Sequence, residues 1–126
     1  MKAFIGAIIL LILLLVGTSC YTGALNDAID ALDAQLEPLE KGAYSLSADE
    51  CSQILEDFKK NWQKTEHWIK AFVDHRNLDT LNSTRSELES YVKSENREEI
   101  LVRTVALREL LKRIPESERL SLENIF

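Results

Sequence analysis

Residues 2–20 are KAFIGAIILLILLLVGTSC, and this stretch decides how the rest of the chain must be arranged. Lys2 precedes an apolar run, and no residue from Ala3 to Val16 is charged or polar. A helix that is apolar on every side needs either lipid or a large surrounding protein. A chain of 126 residues is too short to surround such a helix. The stretch therefore predicts a membrane segment.

Three modes of membrane attachment fit this segment. The run from Ala3 to Gly17 has the length of the apolar core of a secretory signal peptide. A spanning helix needs about 20 apolar residues, and the chain reaches that length only if residues 18–25 are included. No charge interrupts the extension before Asp27. We therefore assign residues 1–22 to a signal peptide or transmembrane anchor.

The third mode is lipidation of Cys20. The tetrad Gly17-Thr18-Ser19-Cys20 resembles a bacterial lipoprotein cleavage site, because small residues precede a cysteine at the end of the apolar run. Gly17 departs from that pattern, since Leu, Val or Ile is usual at its position. The choice between lipoprotein and uncleaved anchor stays open.

Basic residues around the segment predict its orientation. Lys and Arg near a spanning helix stay on the cytoplasmic side of the membrane. Lys2 precedes the run, and no Lys or Arg follows it until Lys41. We therefore expect a protein of the cell membrane whose residues 23–126 form an extracytoplasmic domain.

Composition restricts the function of that domain. The formal net charge is −6, which argues against nucleic-acid binding because that function needs clustered Lys and Arg. Only two cysteines are present, Cys20 and Cys51. Two cysteines do not make a disulfide framework, although a Cys20–Cys51 bridge is an alternative if Cys20 carries no lipid. We expect Cys51 to be a small buried apolar residue.

Beyond the segment, apolar spacing predicts an all-α fold. We expect a bundle of about four antiparallel helices, over residues 23–41, 48–74, 78–93 and 97–114, with Pro115 ending the last one. The first helix carries a narrow apolar stripe whose members are spaced four, three and four residues apart, as in a packed or coiled helix: Leu25, Ile29, Leu32 and Leu36. Because this stripe adjoins the anchor, we expect it to contact a protein partner or a second copy of the chain.

The second helix is predicted to be the centre of the core. Ser47 and Glu50 are spaced as a capping box that starts it, and apolar residues cover two of its faces. Trp62 and Trp68 lie on this helix and are interpreted as core residues. Together with Arg85, in the seam of the third helix, they could instead line a pocket. The alternative function is therefore a ligand-binding module with an enclosed cavity at these three residues.

No motif in the sequence predicts catalysis, a metal or a cofactor. Phosphate-binding glycine loops, paired-cysteine metal motifs and nucleophile elbows are absent from the sequence. His67 and His75 are two helical turns apart, about 12 Å, which is too far to share one metal ion. Asp74, His75 and Asp79 are interpreted as a structural helix–helix turn. We therefore expect a non-catalytic interaction or structural module, and not an enzyme.

Several short motifs resemble one family of small bacterial proteins. They are the apolar start, the stretch 62–68, the turn Asp74-His75-Arg76-Asn77-Leu78-Asp79, the tripeptide Ile114-Pro115-Glu116, and the ending LSLENIF at 120–126. In these motifs the chain resembles domain of unknown function 4363. The resemblance implies a membrane-tethered helical domain, usually with an uncleaved anchor. It implies no activity and no catalytic residues.

Overall fold

The computed structural model describes the backbone of residues 1–125 and the side chains of residues 1–117. This part of the chain forms four helices, α1 (Lys2–Lys41), α2 (Ala48–Ile69), α3 (His75–Lys93) and α4 (Arg97–Ile125). α1 packs on α2 and α4, and α3 packs on the same two helices. Short turns join consecutive helices, which therefore run antiparallel as a four-helix bundle. The prediction of an all-α fold with an apolar first helix is confirmed.

α1 joins two elements that the sequence analysis treated separately. The apolar segment and the first bundle helix form one helix of 40 residues, about 60 Å long at 1.5 Å per residue. Residues 1–17 are all exposed, and Leu25 is the first buried residue of the chain. Among the described residues, α1 is the one helix long and apolar enough to cross a membrane, judged by length and composition.

The apolar stripe of α1 forms part of the bundle core. Four of its residues are at most 2% exposed, namely Leu25, Ile29, Leu32 and Leu36. They belong to one cluster with buried side chains of α2, α3 and α4. The prediction that this stripe contacts a partner or a second copy is therefore wrong for the folded chain. The spacing indicated helix packing correctly, but the helices that cover the stripe belong to the same chain.

The turn between α2 and α3 begins earlier than predicted. α2 ends at Ile69 rather than at residue 74, and α3 starts at His75 rather than at residue 78. Asp74 is the N-cap of α3, since its Oδ1 accepts a hydrogen bond of 2.9 Å from the backbone N–H of Arg76. The predicted N-cap of α2 is confirmed, because Ser47 Oγ accepts from the backbone N–H of Glu50 at 3.1 Å.

α4 continues beyond Pro115, contrary to the prediction that this residue ends it. The helix extends to Ile125 with Pro115 inside it. Proline inside a helix removes one backbone donor and crowds the preceding turn, but its φ is compatible with a helix. Residues 116–125 therefore continue as helix after Pro115.

An ion-pair cluster of Asp33, Glu40 and Arg108 joins α1 to α4. The guanidinium of Arg108 binds both carboxylate oxygens of Asp33, with Nε–Oδ1 at 2.8 Å and Nη2–Oδ2 at 3.0 Å. Its third donor, Nη1, lies 3.0 Å from Glu40 Oε2. The hydrogen bond from Arg108, reinforced by its charge, lowers the pKa of Asp33.

This lowered pKa makes the stability of the bundle depend on pH. As the pH falls from about 5 to 3, the unfolded chain binds a proton at Asp33 before the folded chain does, so the free energy of unfolding decreases. In urea unfolding of the detergent-solubilised protein, the free energy of unfolding should fall more steeply between about pH 5 and 3 for wild type than for Asp33→Asn. At neutral pH, Asp33→Asn should cost about 2 kcal/mol.

Asp30→Asn is the matched control, because it removes an exposed carboxylate one turn before Asp33. It leaves the ion-pair cluster in place and should follow the wild-type curve. Parallel pH curves for wild type and Asp33→Asn would contradict a stabilising role for the Asp33–Arg108 pair.

Candidate functional site

The predicted ligand pocket at Trp62, Trp68 and Arg85 is not formed. Trp62 is fully buried, whereas Trp68 is 37% exposed and lies at the end of α2. Arg85 pairs with Glu89 one turn away on α3, with Nη1–Oε1 at 2.5 Å. The indole of Trp62 is enclosed by the core, while Trp68 borders the surface, so these side chains do not line a common cavity. The structure thus removes the basis for the ligand-binding alternative.

A hydrogen-bonded chain of three side chains replaces the predicted pocket. The indole Nε1–H of Trp62 donates to Asn82 Oδ1 at 2.8 Å, and Asn82 Nδ2 donates to Glu66 Oε2 at 2.5 Å. Trp62 and Glu66 lie on α2, and Asn82 lies on α3. A buried indole N–H without an acceptor is costly. Asn82 therefore fixes the register between α2 and α3 while it satisfies Trp62.

The α2–α3 turn acts as a helix boundary. Asp74 caps α3, His75 is its first residue, and Asp79 lies exposed within it. Within the described residues, no group of three or more His, Cys, Asp or Glu side chains is arranged to hold a metal ion.

The two cysteines are free and lie in different environments. Cys20 is exposed on α1, and Cys51 is fully buried on α2. Burial raises the pKa of the Cys51 thiol, although the nearby Arg97 opposes this effect. A buried, protonated thiol is chemically inert. The alternative of a Cys20–Cys51 bridge is therefore not realised, and the expected buried role of Cys51 is confirmed.

Arg97 holds the turn that follows α1. Its Nη1 donates to the backbone oxygens of Ala43 and Leu46 at 3.2 and 2.6 Å, and it lies 3.7 Å from Cys51 Sγ. Arg97 is the first residue of α4, so this contact joins the start of α4 to the α1–α2 turn at one end of the bundle.

An aromatic cluster of Tyr21, Trp68 and Phe72 lies at the opposite end of the bundle. The ring of Tyr21 meets Trp68 edge to face, with centroids 6.0 Å apart, and meets Phe72 at 5.0 Å. Phe72 belongs to the α2–α3 turn and is 63% exposed. The cluster thus lies where the exposed part of α1 enters the bundle, four residues before Leu25.

The sequence analysis did not identify this cluster, although two of its signals were available. Tyr21 follows the apolar run closely, and Phe72 continues the apolar spacing of the second helix three residues after Ile69. The missing information was the end of α2, because a helix that continued to residue 74 would place Phe72 in the core. Only the early turn at Ile69 brings Phe72 back to α1.

Asn82→Ala tests the chain of hydrogen bonds. It should lower the free energy of unfolding by about 2 kcal/mol, because it leaves the buried Trp62 N–H without an acceptor. Asn82→Asp keeps an acceptor but faces Glu66 with a second carboxylate, so it should be destabilised at pH 7 and recover as the pH is lowered. Asn61→Ala, at an exposed position of α2, should leave stability unchanged. Wild-type stability of Asn82→Ala in chemical denaturation would contradict this role.

In the comparison with known proteins, the part of the chain that matches a protein family is the helical bundle. No curated protein and no solved structure matches the chain. The family model described as Domain of unknown function (DUF4363) matches residues 20–125. The match begins at Cys20 and covers all four bundle helices, while the apolar start that contributed to the resemblance lies outside it. The resemblance found in the sequence is confirmed, and the chain belongs to the DUF4363 family.

Proposed function

We propose that the chain is a membrane-anchored helical module whose bundle lies outside the cytoplasm and has a structural or binding role rather than a catalytic one. The observation that carries this proposal is the change of environment along α1. Residues 1–17 are exposed, and the same helix is buried along one stripe from Leu25 onward. A large exposed apolar surface marks a site of interaction with a membrane or another protein.

The dimensions of the exposed segment fit a bilayer. Residues 3–26 contain no charged side chain, and this length of helix measures about 36 Å at 1.5 Å per residue. The hydrocarbon core of a bilayer is about 30 Å thick. α1 also passes through Gly17-Thr18-Ser19-Cys20 without interruption. These features support an uncleaved spanning helix, with lipidation at Cys20 as the competing mode of anchoring.

The contacts of the bundle support a structural or binding role. Three partly buried polar side chains are used to join helices: Arg108 joins α4 to α1, Asn82 joins α3 to α2, and Arg97 joins α4 to the α1–α2 turn. Each of these groups is thereby committed to a partner within the fold. An orientation with Lys2 on the cytoplasmic side follows from the distribution of basic residues.

The intact mass of the membrane-extracted protein tests the mode of anchoring. We expect a full-length, unmodified mass for wild type, and unchanged membrane retention for Cys20→Ala. Loss of residues 1–19 with added acyl mass, abolished in Cys20→Ala, would show a lipoprotein instead. Recovery of the unmodified full-length chain in the soluble fraction would contradict membrane anchoring altogether.

A membrane-impermeant maleimide tests on which side the bundle lies. Tyr44 is exposed in the α1–α2 turn, so Tyr44→Cys in a Cys20→Ala background provides one accessible thiol. We expect labelling in intact cells. Cys20→Ala alone should remain unlabelled while folded, because Cys51 is buried. Labelling of Tyr44→Cys only after lysis would place the bundle in the cytoplasm.

A further inference from the structure

We propose that the aromatic cluster of Tyr21, Trp68 and Phe72 binds the headgroup region of the bilayer, so that the end of the bundle containing the α2–α3 turn lies on the membrane surface. The partner is thus the lipid surface itself. This inference rests on the proposed membrane anchor and adds a second contact between the folded domain and the membrane. That contact would hold the bundle in one orientation.

The position of Tyr21 along α1 determines its depth in the bilayer. If the hydrocarbon core begins at Ala3, a thickness of about 30 Å is crossed by about 20 residues. The core then ends near residue 22, so Tyr21 lies at its boundary. Lipidation of Cys20 would place the acyl chains on the adjacent residue, so both modes of anchoring give Tyr21 the same depth. Tyr and Trp are enriched at this boundary because their rings are amphipathic.

The polar residues near Tyr21 are compatible with this depth. The hydroxyl of Thr18 donates to the backbone oxygen of Leu14 at 2.8 Å, and that of Thr22 donates to the backbone oxygen of Thr18 at 2.9 Å. Both hydroxyls are therefore satisfied within α1. A hydroxyl paired in this way reduces the cost of placing the helix in an apolar or interfacial environment.

Trp68 and Phe72 lie at the same level as Tyr21, because both rings contact it directly. Trp68 is 37% exposed and Phe72 is 63% exposed. Neighbouring residues of the same turn point into the bundle, since Ile69 and Val73 are buried. At this end of the bundle Ile69 and Val73 therefore pack in the core, whereas Trp68 and Phe72 lie at the surface next to the proposed membrane segment.

One exposed basic side chain, Lys70, lies close to Phe72 in the turn. Lys70 and Arg76 are exposed on either side of Phe72, and Asp74 is the one acidic residue between positions 67 and 76. Arg76 Nη2 pairs with Asp74 Oδ2 at 3.7 Å, and the acidic residues Glu66 and Asp79 flank the turn. The basic group that this end of the bundle offers to lipid is therefore Lys70. Exposed basic groups next to the bilayer are attracted to lipid phosphates.

Fluorescence quenching by brominated lipids tests the proposal on the full-length protein. The protein is reconstituted in vesicles of phosphatidylcholine and phosphatidylglycerol with bromine either near the headgroup end or near the terminus of the acyl chain. Trp68 should be quenched most strongly by the lipid brominated near the headgroup. Trp68→Phe should lose this quenching, because Trp62 is enclosed in the core. Quenching of Trp68 chiefly by the deep bromine would contradict an interfacial position.

Two further variants and a flotation assay separate this inference from the anchor proposal. Phe72→Ser should lose most of the quenching of Trp68, whereas Tyr44→Ser, at the opposite end of the bundle, should retain it. Both should keep the wild-type helical circular dichroism. If the wild-type protein floats with the vesicles but Trp68 is not quenched, the proposed surface contact is wrong and the proposed anchor stands. Failure of the wild-type protein to float would overturn both proposals.

Discussion

The change of environment along α1 near Leu25 is the constraint on which the rest of the structure depends. One uninterrupted helix is exposed and apolar at its start and carries a buried stripe in its second half. Because α2 runs back along that second half, its end must return to the level at which the buried stripe begins. The α2–α3 turn is thereby placed beside Tyr21, and the folded domain meets the exposed segment through aromatic rings.

Polar contacts fix the packing of the helices around α1. Spaced apolar residues allow neighbouring helices to slide by a turn, since Leu, Ile and Val side chains are similar in shape. Bidentate pairing of Arg108 with Asp33 and the bond from Trp62 to Asn82 permit one register only. Arg97 adds a contact at the end of the bundle remote from Tyr21. Hydrophobic burial thus drives the association of the helices, and these three polar contacts specify their alignment.

The sequence predicted the individual helices well, but it did not predict which helices pack against one another. Apolar spacing predicted the four helices, and Ser47 marked the start of α2, because capping is a local interaction. The stripe at Leu25 and Ile29 was assigned to a partner because its spacing does not say which helix covers it. The pairing of Asp33 with Arg108 was not predicted, because the two residues are 75 positions apart in the chain. The aromatic cluster was not predicted, because it forms only if α2 ends at Ile69. Tertiary packing, and not a local sequence signal, decides where α2 ends.

Continuity of α1 between the proposed membrane segment and the bundle is the central claim. Spin labels at Ile5→Cys and Asp30→Cys, in a Cys20→Ala background in lipid nanodiscs, measure it by double electron–electron resonance. Both positions are exposed on α1, and Cys51 is buried and should remain unlabelled. An unbroken helix predicts one narrow distance distribution near 38 Å, from about 1.5 Å per residue. A broad distribution at shorter distances would show a flexible joint and contradict the claim.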